Sequence, residues 1–173
     1  MTELLLNSDI KVIQKDLSQI IVRGKGDGNF AETINKEISL LPPSDNLRCI
    51  SNEKFLFSKQ SFDQWSLIAY EELGDDEVIK LISNLNMNDQ ILASNYSLGQ
   101  SYFEFEGKNK NHFLNKLTHF DLRNKNFPVS SMAQTLLARI DCSIYHLNNK
   151  FLVTINKSFE DYIIKRIKDS INL

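Results

Sequence analysis

An α+β fold is the class this sequence predicts, and three observations carry it. Short strand-like runs lie at residues 10–23, 47–51, 54–58, 65–70, 90–95 and 101–105, and apolar and polar residues alternate, the mark of half-buried strands, through much of the last third. Between these runs lie stretches with an apolar residue every three or four positions, the helical period. The two kinds of segment follow one another in the same succession twice, roughly β-α-β-β-α. The chain therefore reads as two ferredoxin-like (split βαβ) units in one compact chain, each open to closure by a strand from the start of the next half. The expected halves are residues 10–88 and 89–173 of a single domain spanning 1–173, because no Gly-, Ser- or Pro-rich linker separates them.

The elements follow in order. Residues 10–23 read as extended, with Ile10, Val12 and Ile13, then Ile20, Ile21 and Val22. Gly24, Gly26 and Gly28 break the strand, and Phe30, Ile34 and Ile38 recur at helical spacing. Pro42 and Pro43 are expected to stop that helix, since neither has an N–H to donate. Residues 47–51 and 54–58 are strands about a turn at Asn52 and Glu53, and residues 65–70 add another. Gly74 and Asp75 mark a turn and an N-cap, and Asp75, Asp76 and Glu77 put negative charge where the helix dipole favours it. Val78, Ile79, Ile82 and Leu85 are the expected buried stripe. Strands at 90–95 and 101–105 come next, then Gly107, a helix with Phe113, Leu114 and Leu117, and a polar connection over 123–126.

The last third reads as one long strand with Leu136, Ala138, Ile140, Cys142 and Ile144 on one face. A turn at Asn148 and Asn149 leads to a second strand with Phe151, Val153 and Ile155. Ser158 is expected to open a helix through a capping-box-like Ser158-x-x-Asp161, with Phe159, Tyr162, Ile163 and Ile167 as its apolar face. Lys165, Arg166 and Lys168 suit its C-terminal end.

Composition narrows the function classes. Of 173 residues, 42% are hydrophobic and 24% charged, as in ordinary globular chains, and the net charge of −2 gives no general pull toward nucleic acid or an anionic membrane. Cys49 and Cys142 sit in apparent strands without a CxxC neighbour, so they read as small core residues rather than a disulfide or a zinc site. The run Leu4-Leu5-Leu6 lacks the basic flank and the length of a signal sequence, and no apolar stretch reaches the roughly 20 residues that span a bilayer. The expectation is a soluble, cytoplasmic protein.

No motif assigns a catalytic, cofactor-binding or metal-binding residue. Gly24-x-Gly26-x-Gly28 stands between a strand and a helix, but its third glycine comes one residue too early for a dinucleotide fingerprint, and no GK[ST] follows. It reads as a βα turn. His112 and His119 lie seven residues apart without a Cys or acidic partner at ligand spacing; they read as solvated. His119 and Asp121 are close in sequence, yet no nucleophile accompanies them. His146 reads as half-exposed at a strand end. Glu71-Glu72 and Asp75-Asp76-Glu77 have a structural reason at a helix start. Trp65, the single tryptophan, reads as a core anchor, with an interface role as the alternative. Lys108, Lys110, Lys116, Arg123 and Lys125, interleaved with Phe113 and Phe120, form a basic stretch that reads as a solvated face.

Several blocks together resemble one family. The run from Phe127 to Asp141 (FPVSSMAQTLLARID) and the later Lys157 to Tyr162 (KSFEDY) resemble the gamma subunit of heterotetrameric sarcosine oxidase. Leu17 to Gly24 (LSQIIVRG), Leu41-Pro42 followed by Asn46, and Phe62 to Ile68 (FDQWSLI) are similar to that family's first strand, helix exit and a later strand entry. The resemblance spans about residues 10–170. A wider likeness, over residues 101–105, Gly107, Phe113-Leu114 and His119 to Leu122, is to the glycine-cleavage T-protein and its folate-binding fold; the cysteine motif of the related folate-dependent repair proteins is absent. The resemblance implies a cofactor-free, non-catalytic subunit of an oxidase that demethylates sarcosine to glycine and hydrogen peroxide, with the methyl carbon captured by tetrahydrofolate. It implies alpha, beta and delta subunits as partners, with FAD, FMN, NAD, zinc and the folate held by them. A stand-alone folate or small-molecule binder is the alternative.

Overall fold

The computed structural model describes residues 2–6 and 9–170, apart from the side chains of Leu5 and Leu6. The run Leu4-Leu5-Leu6 thus lies partly, and Ile171 wholly, outside the described residues. In chain order the strands and helices are β1 (Thr2–Leu6), β2 (Lys11–Lys15), β3 (Ser18–Arg23), α1 (Asn29–Ile38), β4 (Arg48–Ser51), β5 (Phe55–Lys59), β6 (Gln64–Ala69), α2 (Asp75–Asn86) and β7 (Leu92–Asn95). They continue with β8 (Gln100–Glu106), α3 (Lys110–Asn115), β9 (Ser131–Leu137), β10 (Ile140–His146), β11 (Lys150–Asn156) and α4 (Glu160–Asp169).

The chain divides into a contiguous unit, residues 17–97, and a split unit made of residues 1–16 and 98–173. In the contiguous unit the strand order is β4-β5-β6-β3-β7, antiparallel throughout. In the split unit it is β1-β2-β8-β11-β10-β9, again antiparallel. The succession is the same: β3-α1-β4-β5-β6-α2 corresponds to β8-α3-β9-β10-β11-α4. The place that β7 takes beside β3 is taken beside β8 by β2. The stretch 10–23, which reads as one extended run, is therefore two strands in different units, parted at Asp16 and Leu17.

Helices cover one face of each sheet. In the contiguous unit Ile20, Val22, Phe57, Trp65 and Leu67 pack with Phe30 and Ile34 of α1 and Val78 and Leu85 of α2. In the split unit Val12, Phe103, Phe105, Ile144 and Val153 pack with Phe113 and Leu114 of α3 and Ile163 and Ile167 of α4. Each such side chain stabilises the fold by about 1.5–3 kcal/mol through burial. Ile79 is exposed and Leu81 is buried, so the stripe of α2 is Val78, Leu81 and Leu85. Phe159 and Tyr162 are likewise exposed, and α4 buries only Ile163 and Ile167.

The largest departure from the sequence reading is in the last third. The expected long strand is a hairpin, β9 and β10, folded at Ala138 and Arg139 with φ of 47° and 73°. A two-residue turn with positive φ at both positions suits the twist of paired strands, but glycine and asparagine usually supply it. Here tertiary hydrogen bonds hold it: Ala138 N donates to Leu117 O at 2.6 Å, and the Tyr162 hydroxyl donates to Ala138 O at 3.1 Å. Helix ends differ too. Ser39, in the left-handed region at φ 57°, ends α1 before the prolines are reached. Asn156, not Ser158, caps the last helical segment, accepting from Ser158 N at 3.0 Å.

The strand β7 stands last in its order, so its outer edge would present bare backbone groups. Asn86, at the end of α2, occupies that edge. Its Nδ2 donates to Ala93 O at 3.1 Å and its Oδ1 accepts from Ala93 N at 2.6 Å. A carboxamide thus stands where a further strand would pair. Asn86→Ala is expected to lower the unfolding free energy by about 1–2 kcal/mol and to cause concentration-dependent self-association. Size-exclusion elution that stays constant with concentration would count against the blocking role.

Candidate functional site

The glycine loop between β3 and α1 closes over Trp65. Trp65 is 1% exposed, and its Nε1 donates to Gly24 O at 2.8 Å. The ring stacks on Phe57, with centroids 5.4 Å apart and planes within 9°, and leans on Phe30 at 5.2 Å. A Cβ on Gly26, whose φ is 87°, would stand 2.5 Å from Trp65 Cζ2. The space left by the missing side chain is filled by indole, so the loop does not fit a dinucleotide pyrophosphate, and Trp65 is a core anchor.

The histidines and nearby charges are each accounted for. His112 and His119 are exposed. His146 is only 6% exposed, which corrects the half-exposed expectation; its Nδ1 lies 2.7 Å from Phe127 O and its ring packs against Phe127 and Phe151. The connection after α3, by placing Phe127 there, covers the strand end. Asp121 accepts from Arg123 Nε at 2.8 Å and Nη2 at 2.6 Å, and from Asn126 Nδ2 at 2.5 Å. These hydrogen bonds hold its carboxyl well below the ordinary carboxylate range, and commit it to Arg123 and Asn126 rather than to His119. Gly74, not Asp75, is the N-cap of α2, and Glu77 in its first turn pairs with Lys54.

The basic stretch is not a stacking platform. Phe113 belongs to the core, and Phe120 meets Phe127 edge-on at 5.0 Å. Lys116 donates to Ser170 O at 3.2 Å, and Lys110 Nζ lies 5.9 Å from the Phe151 ring centroid. Cys49 and Cys142 are buried, and burial pushes both thiols up to about 12, which keeps them protonated and poor as nucleophiles or ligands. Among the described residues, no group of three or more His, Cys, Asp or Glu is placed to hold a metal. No helix among them is long and apolar enough to cross a membrane.

Two clefts remain. One, of about 600 Å3, lies in the contiguous unit between the end of α1, α2 and the β4–β5 turn. Its polar groups satisfy one another: Asn84 Nδ2 donates to Glu37 Oε2 and Asn52 Nδ2 to Ile38 O, both at 2.8 Å. The other, of about 570 Å3, lies on β8–β11 of the split unit. Sequence reasoning missed it because its polar residues come from four strands whose register the sequence does not reveal.

Beside β8, Glu160 at the start of α4 gathers a hydrogen-bond cluster. Ser101 Oγ donates to it, Lys157 Nζ donates at 2.5 Å, and Gln14 adds a third contact. Burial pushes its carboxyl up, but the hydrogen bonds from Lys157, Ser101 and Gln14 and the charge of Lys157 outweigh that and lower it overall. A carboxyl depressed in the folded state stabilises above its ordinary value of 4.5 and loses that contribution as pH falls through the folded value. Glu160→Gln is therefore expected to flatten the acid limb of the stability profile. Urea midpoints between pH 7 and about 3 read it; an acid limb as steep as the parent's would remove the argument.

A fold of antiparallel sheets with helices on one face, made twice from one succession of elements, defines an α+β class of duplicated plan. The chain belongs to the sarcosine oxidase, gamma subunit family, whose description matches residues 23–172. Its fold is similar to a chain of the heterotetrameric sarcosine oxidase from Corynebacterium sp. U-96 in complex with pyrrole 2-carboxylate, with a TM-score of 0.83 at 16% identity over 98% of this chain and 87% of that one. It is also similar to the glycine cleavage system aminomethyltransferase T from Bartonella henselae, with a TM-score of 0.69 at 10% identity, covering 93% of this chain but 46% of that one. None of the curated proteins matches the chain.

Proposed function

We propose that this chain is a non-catalytic, cytoplasmic structural subunit of a heterotetrameric sarcosine oxidase-type flavoenzyme, and that alpha, beta and delta partners hold its FAD, FMN, NAD, zinc and tetrahydrofolate. The complex would demethylate sarcosine oxidatively to glycine and pass the methyl carbon to tetrahydrofolate. The family match over residues 23–172 carries this reading. A second feature supports it: the contiguous unit exposes Met87 at 83% and Leu92 at 61%, and the split unit exposes Leu98 at 91%, apolar side chains that contact with a partner would bury. We further propose that each unit is a ferredoxin-like split βαβ with one added strand, on the strength of the matching orders β7-β3-β6-β5 and β2-β8-β11-β10.

Purification of the tagged chain from its own cells tests the assembly. A yellow complex with two large chains and one small one is expected; a colourless lone chain would reject it. Leu98→Asp, on a residue that contributes nothing to the core, is expected to weaken co-purification at least tenfold, the effect of a charge at an interface anchor, with an unchanged circular dichroism spectrum. Full recovery of partners by that variant would place the contact elsewhere. The likeness to the aminomethyltransferase fold favours the second reading, a stand-alone folate binder, and isothermal titration of the lone chain with tetrahydrofolate decides it.

A further inference from the structure

The cleft of the split unit is lined largely by polar side chains, of which Asn156 is taken up in capping the last helical segment. At about 570 Å3 it is within the size range of small-ligand sites. Its floor is two adjacent rows on one sheet face. In the first, Gln134 of β9 stands opposite Ser143 of β10, and Ser143 opposite Thr154 of β11. Two residues along each strand, and so on the same face, the second row brings Asp141 together with Asn156 and Gln100, the last two directly opposite each other. Among the described residues, the side chains of Gln100, Gln134, Ser143 and Thr154 make no hydrogen bond within the chain, and Asp141 makes no ion pair. Thr154 is only 4% exposed.

The electrostatics select the ligand. Among the described residues, Asp141 is the only charged one on the lining, and no Lys or Arg accompanies it there. Phosphates and carboxylates are therefore disfavoured. Hydroxyl and carboxamide oxygens around one carboxylate match a group that is positive and rich in N–H donors. We propose that this cleft binds a small organic cation, a protonated amine or guanidinium, whose charge faces Asp141 and whose N–H groups donate to oxygens of Gln134, Ser143 and Thr154. The cation is either a free molecule or the end of a partner chain's Lys or Arg side chain. The inference stands on the cleft alone and does not depend on the subunit reading.

The test is a titration of the full, 15N-labelled chain with ethanolamine and agmatine, against acetate at equal ionic strength. Saturable shifts at Gln134, Ser143 and Thr154 with the amines and none with acetate are expected. Asp141→Asn should weaken binding about fivefold, the worth of one partly exposed ion pair, and the near-isosteric Thr154→Val should weaken it without unfolding the sheet. No saturable shift, an equal response to acetate, or an unchanged affinity in Asp141→Asn would overturn the proposal. Amine binding by the lone chain that disappears in the purified complex assigns the cation to a partner's side chain. Binding that persists there assigns it to a free amine.

Discussion

Trp65→Ala is expected to lower the unfolding free energy by about 3–5 kcal/mol, the usual cost of deleting a large buried aromatic. The indole is the common neighbour of Phe57, Phe30 and the glycine loop, and it supplies the donor for Gly24 O. A companion change approaches the same contact from the other side. Gly26→Ala must carry a side chain at φ 87°, at about 1–2 kcal/mol, and drive its Cβ into the ring, at about 1–3 kcal/mol more. Gly28→Ala, at φ 49° with nothing within 4 Å of its Cβ, should show the conformational part alone. Urea unfolding followed by circular dichroism measures all three. Equal losses at Gly26 and Gly28 would show that the loop does not press on the ring.

Lys150→Met is expected to destabilise by about 3 kcal/mol, the lower end of what removing one partner of a buried ion pair costs. The carboxylate of Glu104 is 4% exposed and lies 2.7 Å from Lys150 Nζ and 3.7 Å from Lys15 Nζ, so β8 is pinned to a lysine from β11 and one from β2. Without Lys150 the carboxylate stays buried with its more distant partner. Glu104→Met is the contrast: it leaves two lysines that are already a quarter exposed and can turn to water. Its loss should therefore be smaller. A larger loss for Glu104→Met than for Lys150→Met in urea titration would reverse this account.

The fold class was legible because burial leaves a period. Phe30, Ile34 and Ile38 mark α1, and Phe151, Val153 and Ile155 mark β11, by spacing alone. Where the deciding interaction is distant, the spacing misleads. The turn at Ala138 and Arg139 has no Gly or Asn to announce it, and it is held by Leu117 and Tyr162, far away in sequence. A two-residue turn also reverses which parity faces inward, so Leu136 came to be read as core while Leu137 is the buried residue. The boundary at Asp16 was hidden for a similar reason: β2 and β3 are both apolar and extended, and only their pairing with β8 and β6 shows that they diverge. Of the candidate groups, the reading of the glycines, the cysteines and Trp65 as structural held. His146 did not follow its expected half-exposure, because Phe127 arrives over it from a connection without periodicity. The cleft on β8–β11 was invisible, since Gln134, Ser143 and Thr154 become neighbours only through register.

The exchange of β2 for a C-terminal strand bears on how the chain is made. A ribosome delivers residues 11–15 early, but their partner, β8, follows only after all of residues 17–97 have been synthesised. Every strand of the contiguous unit leaves the tunnel before β8 does and can pair, while β2 must wait for β8, its Val12 and Ile13 not yet covered. Biogenesis is therefore ordered from the middle outward. Until β8 emerges, residues 11–15 are an apolar strand without that partner, and it is there that a holding chaperone would have the most to shield.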